Sequence, residues 1–238
     1  MLRGERPGSW VSVMRVNKAA IGVSDKTARP EKIHSFSGLA PVIALMLFVS
    51  ACARGQEFVD EYSDVKPAPA SFTICYGYGC ASQSQVNMSP VGWQQVKDAY
   101  GPAPANAVEE RAAIARAIAL IEKKVGAATG TDIDKAGASL FAENRFQLDC
   151  IDETANTTTY LRMLERDNLL QFHTIGQAAW RGQFINGWPH NTAVIVEKGS
   201  GSSYVVDSWF YANGIAPEIL PLAKWKAGWS PPNVPSLI

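Results

Sequence analysis

The sequence predicts an α+β domain in which helices pack on an antiparallel sheet. Three observations predict it. Asp149, followed by Asp152, forms a capping box, and a helix runs on from there to about residue 164. Residues 191–197 and 203–210 alternate apolar and polar and are joined by Lys198-Gly-Ser-Gly-Ser202, the pattern of a half-buried hairpin. Cys75 and Cys80 bracket Tyr76-Gly77-Tyr78-Gly79, a turn that brings two short strands together within residues 72–88.

The chain of 238 residues, 47% of them hydrophobic, is long enough for one domain with a substantial core. Its formal net charge is zero, but the charges are unevenly spread. Of the 22 side chains of each sign, seven basic and three acidic ones fall in residues 1–52, leaving 15 and 19 for the rest. A mildly acidic domain argues against nucleic-acid binding. The basic start leads into the short apolar run 39–49, the arrangement of a secretory signal; a membrane-spanning helix would need roughly 20 apolar residues. Val49-Ser50-Ala51-Cys52 resembles the lipobox of bacterial lipoproteins, which implies cleavage before Cys52 and lipidation of its thiol. Residues 1–51 are thus read as a signal peptide, 52–70 as lipidated cysteine and polar tether, and 71–238 as one globular domain. The expected location is the cell envelope, facing the periplasm.

Export fixes the redox context. In an oxidising compartment Cys75 and Cys80 are read as a disulfide, which leaves Cys150 as the free thiol beside the lipidated Cys52. After the first hairpin, Ser89-Pro90 opens a short helix through Trp93, Val96 and Tyr100. Asn106 and Glu109 cap a longer one whose Ile114, Ile118, Ile121 and Val125 share a face; Arg111, Glu122 and Lys123 lie on other faces, and Gly126 ends it. Asp132, Asp134, Gly137 and Glu143 match positions 1, 3, 6 and 12 of a calcium loop. Ala136 removes the ligand at position 5, so a turn with scattered carboxylates explains the pattern as well, and no metal or cofactor is expected. Residues 169–175 read as a strand, 177–189 as an irregular loop, and the proline-rich tail as a surface wrap around one short helix near 223–226.

Cys150 falls in the first turn of its helix, where free backbone N–H groups and the helix dipole favour a thiolate. Asp149, Asp152 and Glu153 oppose that charge, so the thiol needs a cation beside it. Past residue 52 the chain has two histidines. His173 sits among apolar strand residues and reads as packed; His190 opens the first strand of the last hairpin, and Asp207 lies in the second. An odd pairing sum puts His190 and Asp207 on one face, opposite or diagonal, whereas a slip of one residue separates them. In the first register Asp207 holds one imidazole nitrogen and the other faces Cys150, the arrangement nucleophilic catalysis needs.

The chain order Cys150, His190, Asp207 resembles transglutaminase-like and papain-like cysteine enzymes over residues 141–210. Cys75-Tyr-Gly-Tyr-Gly-Cys80, Leu148-Asp-Cys-Ile-Asp-Glu153, Asn156-Thr-Thr-Thr-Tyr160 and Val206-Asp-Ser-Trp-Phe210 look like an uncharacterised family of proteobacterial proteins, a likeness that brings no substrate. The wider resemblance implies acyl transfer through a thioester, with hydrolysis of a peptide or other amide bond as the commonest outcome. Papain-like enzymes carry an oxyanion-hole glutamine several residues before the cysteine. Here Gln147 stands only three before it, so Gln147 is a candidate and the Cys150 backbone N–H the firmer one. Trp180, Trp188 and Trp209 are candidates to line a substrate groove, with core packing as the alternative. Two other readings stay open: a lipoprotein that binds envelope peptide or glycan without catalysis, and a transferase that passes the acyl group to an amine. The expected partners are the membrane, through the lipid, and a peptide or protein substrate in the cell envelope.

Overall fold

The computed structural model describes residues 11–15 (backbone only), 66–138, 144–182 and 189–232. The proposed cleavage and lipidation site at Cys52, the calcium-loop position Glu143 and the groove candidate Trp188 lie outside these residues. The architecture is mixed α and β with antiparallel sheets. Strands β2 (Phe72–Tyr76) and β3 (Ser82–Met88) form the first hairpin, with β1 (Val11–Arg15) along the other edge of β3. That outer strand falls inside the segment read as a leader. Helices α1 (Pro90–Tyr100), α2 (Ala107–Thr129) and α3 (Cys150–Arg166) follow. The second sheet runs β4 (His173–Ile175), β6 (His190–Glu197), β7 (Ser203–Asp207), β8 (Glu218–Pro221), and β5 (Ala179–Arg181) pairs with the first residues of β6. A short helix α4 (Leu222–Lys226) closes the described chain.

Each helix starts where its cap dictates. The Ser89 hydroxyl accepts the Gly92 N–H with Pro90 at the first position, and the Asn106 side chain accepts the Glu109 N–H. Helix α2 does not stop at Gly126 but runs to Thr129, with Gly130 as its left-handed cap. Gly126 serves a close approach instead. A Cβ there would meet the Asn213 Oδ1 at 2.7 Å and the Asp132 backbone at 2.9 Å. Glu122 is also not on a free face: it is buried under the segment that follows β7.

Strand alternation divides the core in two. Ala193, Ile195 and Val206 pack with the three long helices and with Phe72, Ile74 and Val86 of the first hairpin. Val194, Val205 and Leu220 face the other way, onto Trp209, Phe210 and Trp225, and Cys150 packs against the edge of that cluster. Helix α3 lies between the hairpin and the sheet, so its first residue meets both. Among the described residues no helix is long and apolar enough to cross a membrane.

Candidate active site around Cys150

Helix α3 begins as its sequence predicts. The Asp149 carboxylate accepts the N–H groups of Ile151 and Asp152, and Asp152 returns a bond from the Asp149 N–H. Cys150 is therefore the first helical residue, and its own N–H lies outside that cap.

The stapled loop reinforces this start. Cys75 and Cys80 are disulfide-bonded, and Gly77, Tyr78, Gly79 and Cys80 all take positive φ between 56° and 82°. Consecutive left-handed residues turn their amides toward one side, a cradle for an anion. Here the acceptors are the helix-capping carboxyl groups. Tyr78 and Cys80 donate to the two oxygens of Asp152 at 2.8 and 2.6 Å, and Gly79 donates to Asp149 at 2.9 Å. One turn on, the Asn156 amide exchanges two bonds with the Cys75 backbone, at 2.7 and 2.9 Å. The fragments 75–80, 148–153 and 156–160, singled out by resemblance, thus meet in one physical unit. Burial, reinforced by the charge of Asp149, pushes Asp152 up to about 8 against the pull of these amides. Burial likewise raises Glu122 and Asp134 to about 7, and lifts Glu153 well above the usual carboxyl range.

The hairpin register brings the other two candidates together. Ala193 pairs with Val206 and Val194 with Val205, an odd sum that sets His190 and Asp207 diagonally on one face. His190 Nε2 and Asp207 Oδ2 are 2.8 Å apart, both residues almost fully buried. The Trp225 indole N–H donates to the same Oδ2 at 2.7 Å. Trp209, Phe210 and Trp225 surround the imidazole, with ring centroids 4.5, 5.4 and 5.4 Å away. Arg181, opposite His190 across β5 and β6, lies over the Trp225 ring at 4.3 Å and donates to the carbonyls of Trp225 and Trp229.

The remaining imidazole nitrogen, Nδ1, is buried and makes no hydrogen bond of regular geometry. Cys150 nonetheless acts on the ring closely enough to favour its cation. Burial opposes that cation, but the charge and hydrogen bond of Asp207, joined by Cys150, outweigh it and push His190 up to about 9. At neutral pH the imidazole is then positively charged, the counter-charge that Cys150 lacks among its carboxylate neighbours.

Two sequence-predicted site residues have other employment. The Gln147 amide is used at both ends, donating to Ile133 O at 2.9 Å and accepting from Lys135 N at 3.0 Å. These two bonds pin the turn after α2 and commit one of the two amide N–H groups away from Cys150. Trp209 is only 8% exposed and donates its N–H to Ala138 O, so it is a wall of the imidazole's cage rather than of an open groove. Trp180 is 41% exposed and pairs with Asn191 across β5 and β6. Sequence reasoning did not single out Asn191, whose Nδ2 lies 3.8 Å from the Cys150 sulfur, nor Trp225. Adjacency to His190 was the available signal for Asn191. Trp225 offered none, since a tryptophan in a short surface helix does not announce a partner 18 residues away. Among the described residues no cluster of ligand side chains fit for a metal ion occurs; Glu143 of the calcium-loop pattern lies outside them. No protein-family model, curated protein or solved structure matches this chain.

Proposed function

We propose that this protein is a cysteine hydrolase of the transglutaminase-like type, cleaving peptide or other amide bonds through a thioester on Cys150. The carrying observation is the state of His190: one nitrogen fixed by Asp207, the other buried without a regular hydrogen bond beside the thiol. A buried ring nitrogen left open is costly unless a reacting partner uses it. Cys150 attacks the carbonyl carbon, and His190 delivers its proton to the leaving amine as the C–N bond breaks. It then takes a proton from the water that hydrolyses the thioester. Asp207 fixes the ring and stabilises the imidazolium throughout. In this reading the leader is removed and Cys52 carries the lipid, so the domain works at a membrane surface in the periplasm.

The test is thiol chemistry on the native protein. Cys150 should be alkylated by iodoacetamide at neutral pH without denaturant, at a rate that His190→Ala reduces. A Cys150 that reacts only after unfolding would remove the enzymatic reading and leave the non-catalytic binding lipoprotein. That second reading draws on the exposed Trp180 and the absence of a regular Cys150–His190 hydrogen bond. Transfer to an amine uses the same thioester, and products formed with and without added amine distinguish it from hydrolysis.

A further inference from the structure

Resting on the hydrolase reading, we infer that Asn191 supplies the side-chain half of the oxyanion hole, the place that sequence spacing offered to Gln147. Gln147 is anchored instead to the 133–135 turn by its oxygen and one amide N–H, and no hydrogen bond joins it to Cys150. Among the described residues two other donors stand near the sulfur. One is the Cys150 N–H, first in its helix and not taken by the Asp149 cap. The other is Asn191 Nδ2, 3.8 Å from Cys150 Sγ. A carbon bonded to this sulfur with its oxygen turned toward Nδ2 places that oxygen within reach of the amide, at the roughly 2.7–3.1 Å that oxyanion donors need.

Strand geometry gives this donor its rigidity. His190 and Asn191 are consecutive in β6, so their side chains leave opposite faces of the strand. Asn191 shares its face with Ala193 and Ile195, against which α3 packs, while the His190 ring lies in the aromatic cage on the other face. The base and the oxyanion donor are therefore set by one peptide unit. That peptide is itself held on the β5 side, Arg181 opposite His190 and Trp180 opposite Asn191. As the thiolate forms the C–S bond, the carbonyl π pair moves to oxygen. Asn191 and the Cys150 N–H stabilise that charge until the C=O re-forms and expels the leaving group, with no change of oxidation state.

The experiment compares two reactions of the same thiol in the full chain, following the Cys150 adduct by peptide mass. Acetylation by p-nitrophenyl acetate passes through an oxyanion; alkylation by iodoacetamide does not. Asn191→Ala should lower the ratio of acetylation to alkylation rate by about 100-fold or more. The near-isosteric Asn191→Asp, which puts a carboxylate where the donor stood, should lower the ratio at least as far. A ratio unchanged in both variants overturns the inference, as does a parallel fall in both reactions, which would mean that Asn191 tunes the thiol itself. Wild-type protein that is alkylated but not acetylated would also overturn it. Failure of native alkylation would instead refute the hydrolase reading on which it rests.

Discussion

The two buried histidines of this domain make a controlled comparison. Both lie on strands of one sheet, and each is fixed by a carboxylate. His173 Nδ1 and Glu110 Oε1 are 2.9 Å apart; His190 Nε2 and Asp207 Oδ2 are 2.8 Å apart. The difference is at the other nitrogen. His173 Nε2 meets Arg111 at 3.2 Å, and that guanidinium is itself held by Glu197 and stacked over Tyr204. Glu110 also accepts the N–H groups of Gln171, Phe172 and His173, so the cluster ties α2 to β4 and, through Glu197 and Tyr204, to β6 and β7. At His190 the second nitrogen is left open beside a thiol, and the ring is packed by aromatic faces that bond neither nitrogen. A saturated network holds a fold together; one with a single open valence can move a proton.

The largest effect that would break this contrast is on stability. His173→Ala removes a ring from a saturated buried cluster and should cost about 3 kcal/mol or more, seen as a large drop in the thermal midpoint. His190→Ala should cost less stability and suppress acyl transfer at Cys150 by about 100-fold or more. If both variants lose stability alike and keep thiol reactivity, the distinction is void.

Asp207→Asn sharpens it. Both partners of the amide are retained in size, but the amide cannot hold an imidazolium as a carboxylate does, so His190 should titrate well below its value of about 9. The measurement is the imidazole's NMR titration in both proteins. The linkage has a definite sign. A histidine raised from its ordinary ~6.5 adds stability fully present below that pH and lost as pH rises through about 9. The raised carboxyls of Glu122, Asp134 and Asp152 act in the same direction as pH rises toward about 7–8. The thermal midpoint should therefore fall between pH 6.5 and 9, less steeply in Asp207→Asn; a flat or rising profile contradicts the assignment.

Smaller effects test the supports. A Cys75→Ala, Cys80→Ala chain loses a very short covalent loop and should be about 2 kcal/mol less stable. Thiol counting on denatured, unreduced protein carrying Cys52→Ser should find Cys150 alone; three thiols would refute the staple. Gln147→Ala should cost about 1–2 kcal/mol by stranding the Ile133 carbonyl and the Lys135 N–H, while native Cys150 keeps its reactivity. A loss of acyl transfer at unchanged stability would return Gln147 to the mechanism.

What was legible in the sequence follows the range of the forces involved. The Asp149–Asp152 box and the caps at Ser89 and Asn106 depend on neighbours three residues apart and stand where the sequence puts them. The diagonal placement of His190 and Asp207 was legible as one of two parities, and the turn at 198–201 selects it. Glu122 and Glu110 were not legible as buried residues, because what covers them comes from segments about 60 to 90 residues away. Gly126 misleads for the same reason: a local breaker rule yields to a contact with Asp132 and Asn213. Trp225 and Gln147 were decided by hydrogen bonds, which leave no periodicity to read.

The left-handed loop has a consequence for inheritance. In a run of four residues with positive φ, Gly77 is the one where a side chain would also press on a neighbouring backbone, Arg145 O at 3.2 Å. The amides that such a turn presents have a use only if Asp149 and Asp152 stand opposite, and Asn156 completes the same seam. Neither segment can drift alone. In descendants of a common ancestor the Cys-x4-Cys loop and the Asp-Cys-x-Asp-x3-Asn helix start should be kept or lost as a pair, even where the thiol between the two aspartates has been replaced.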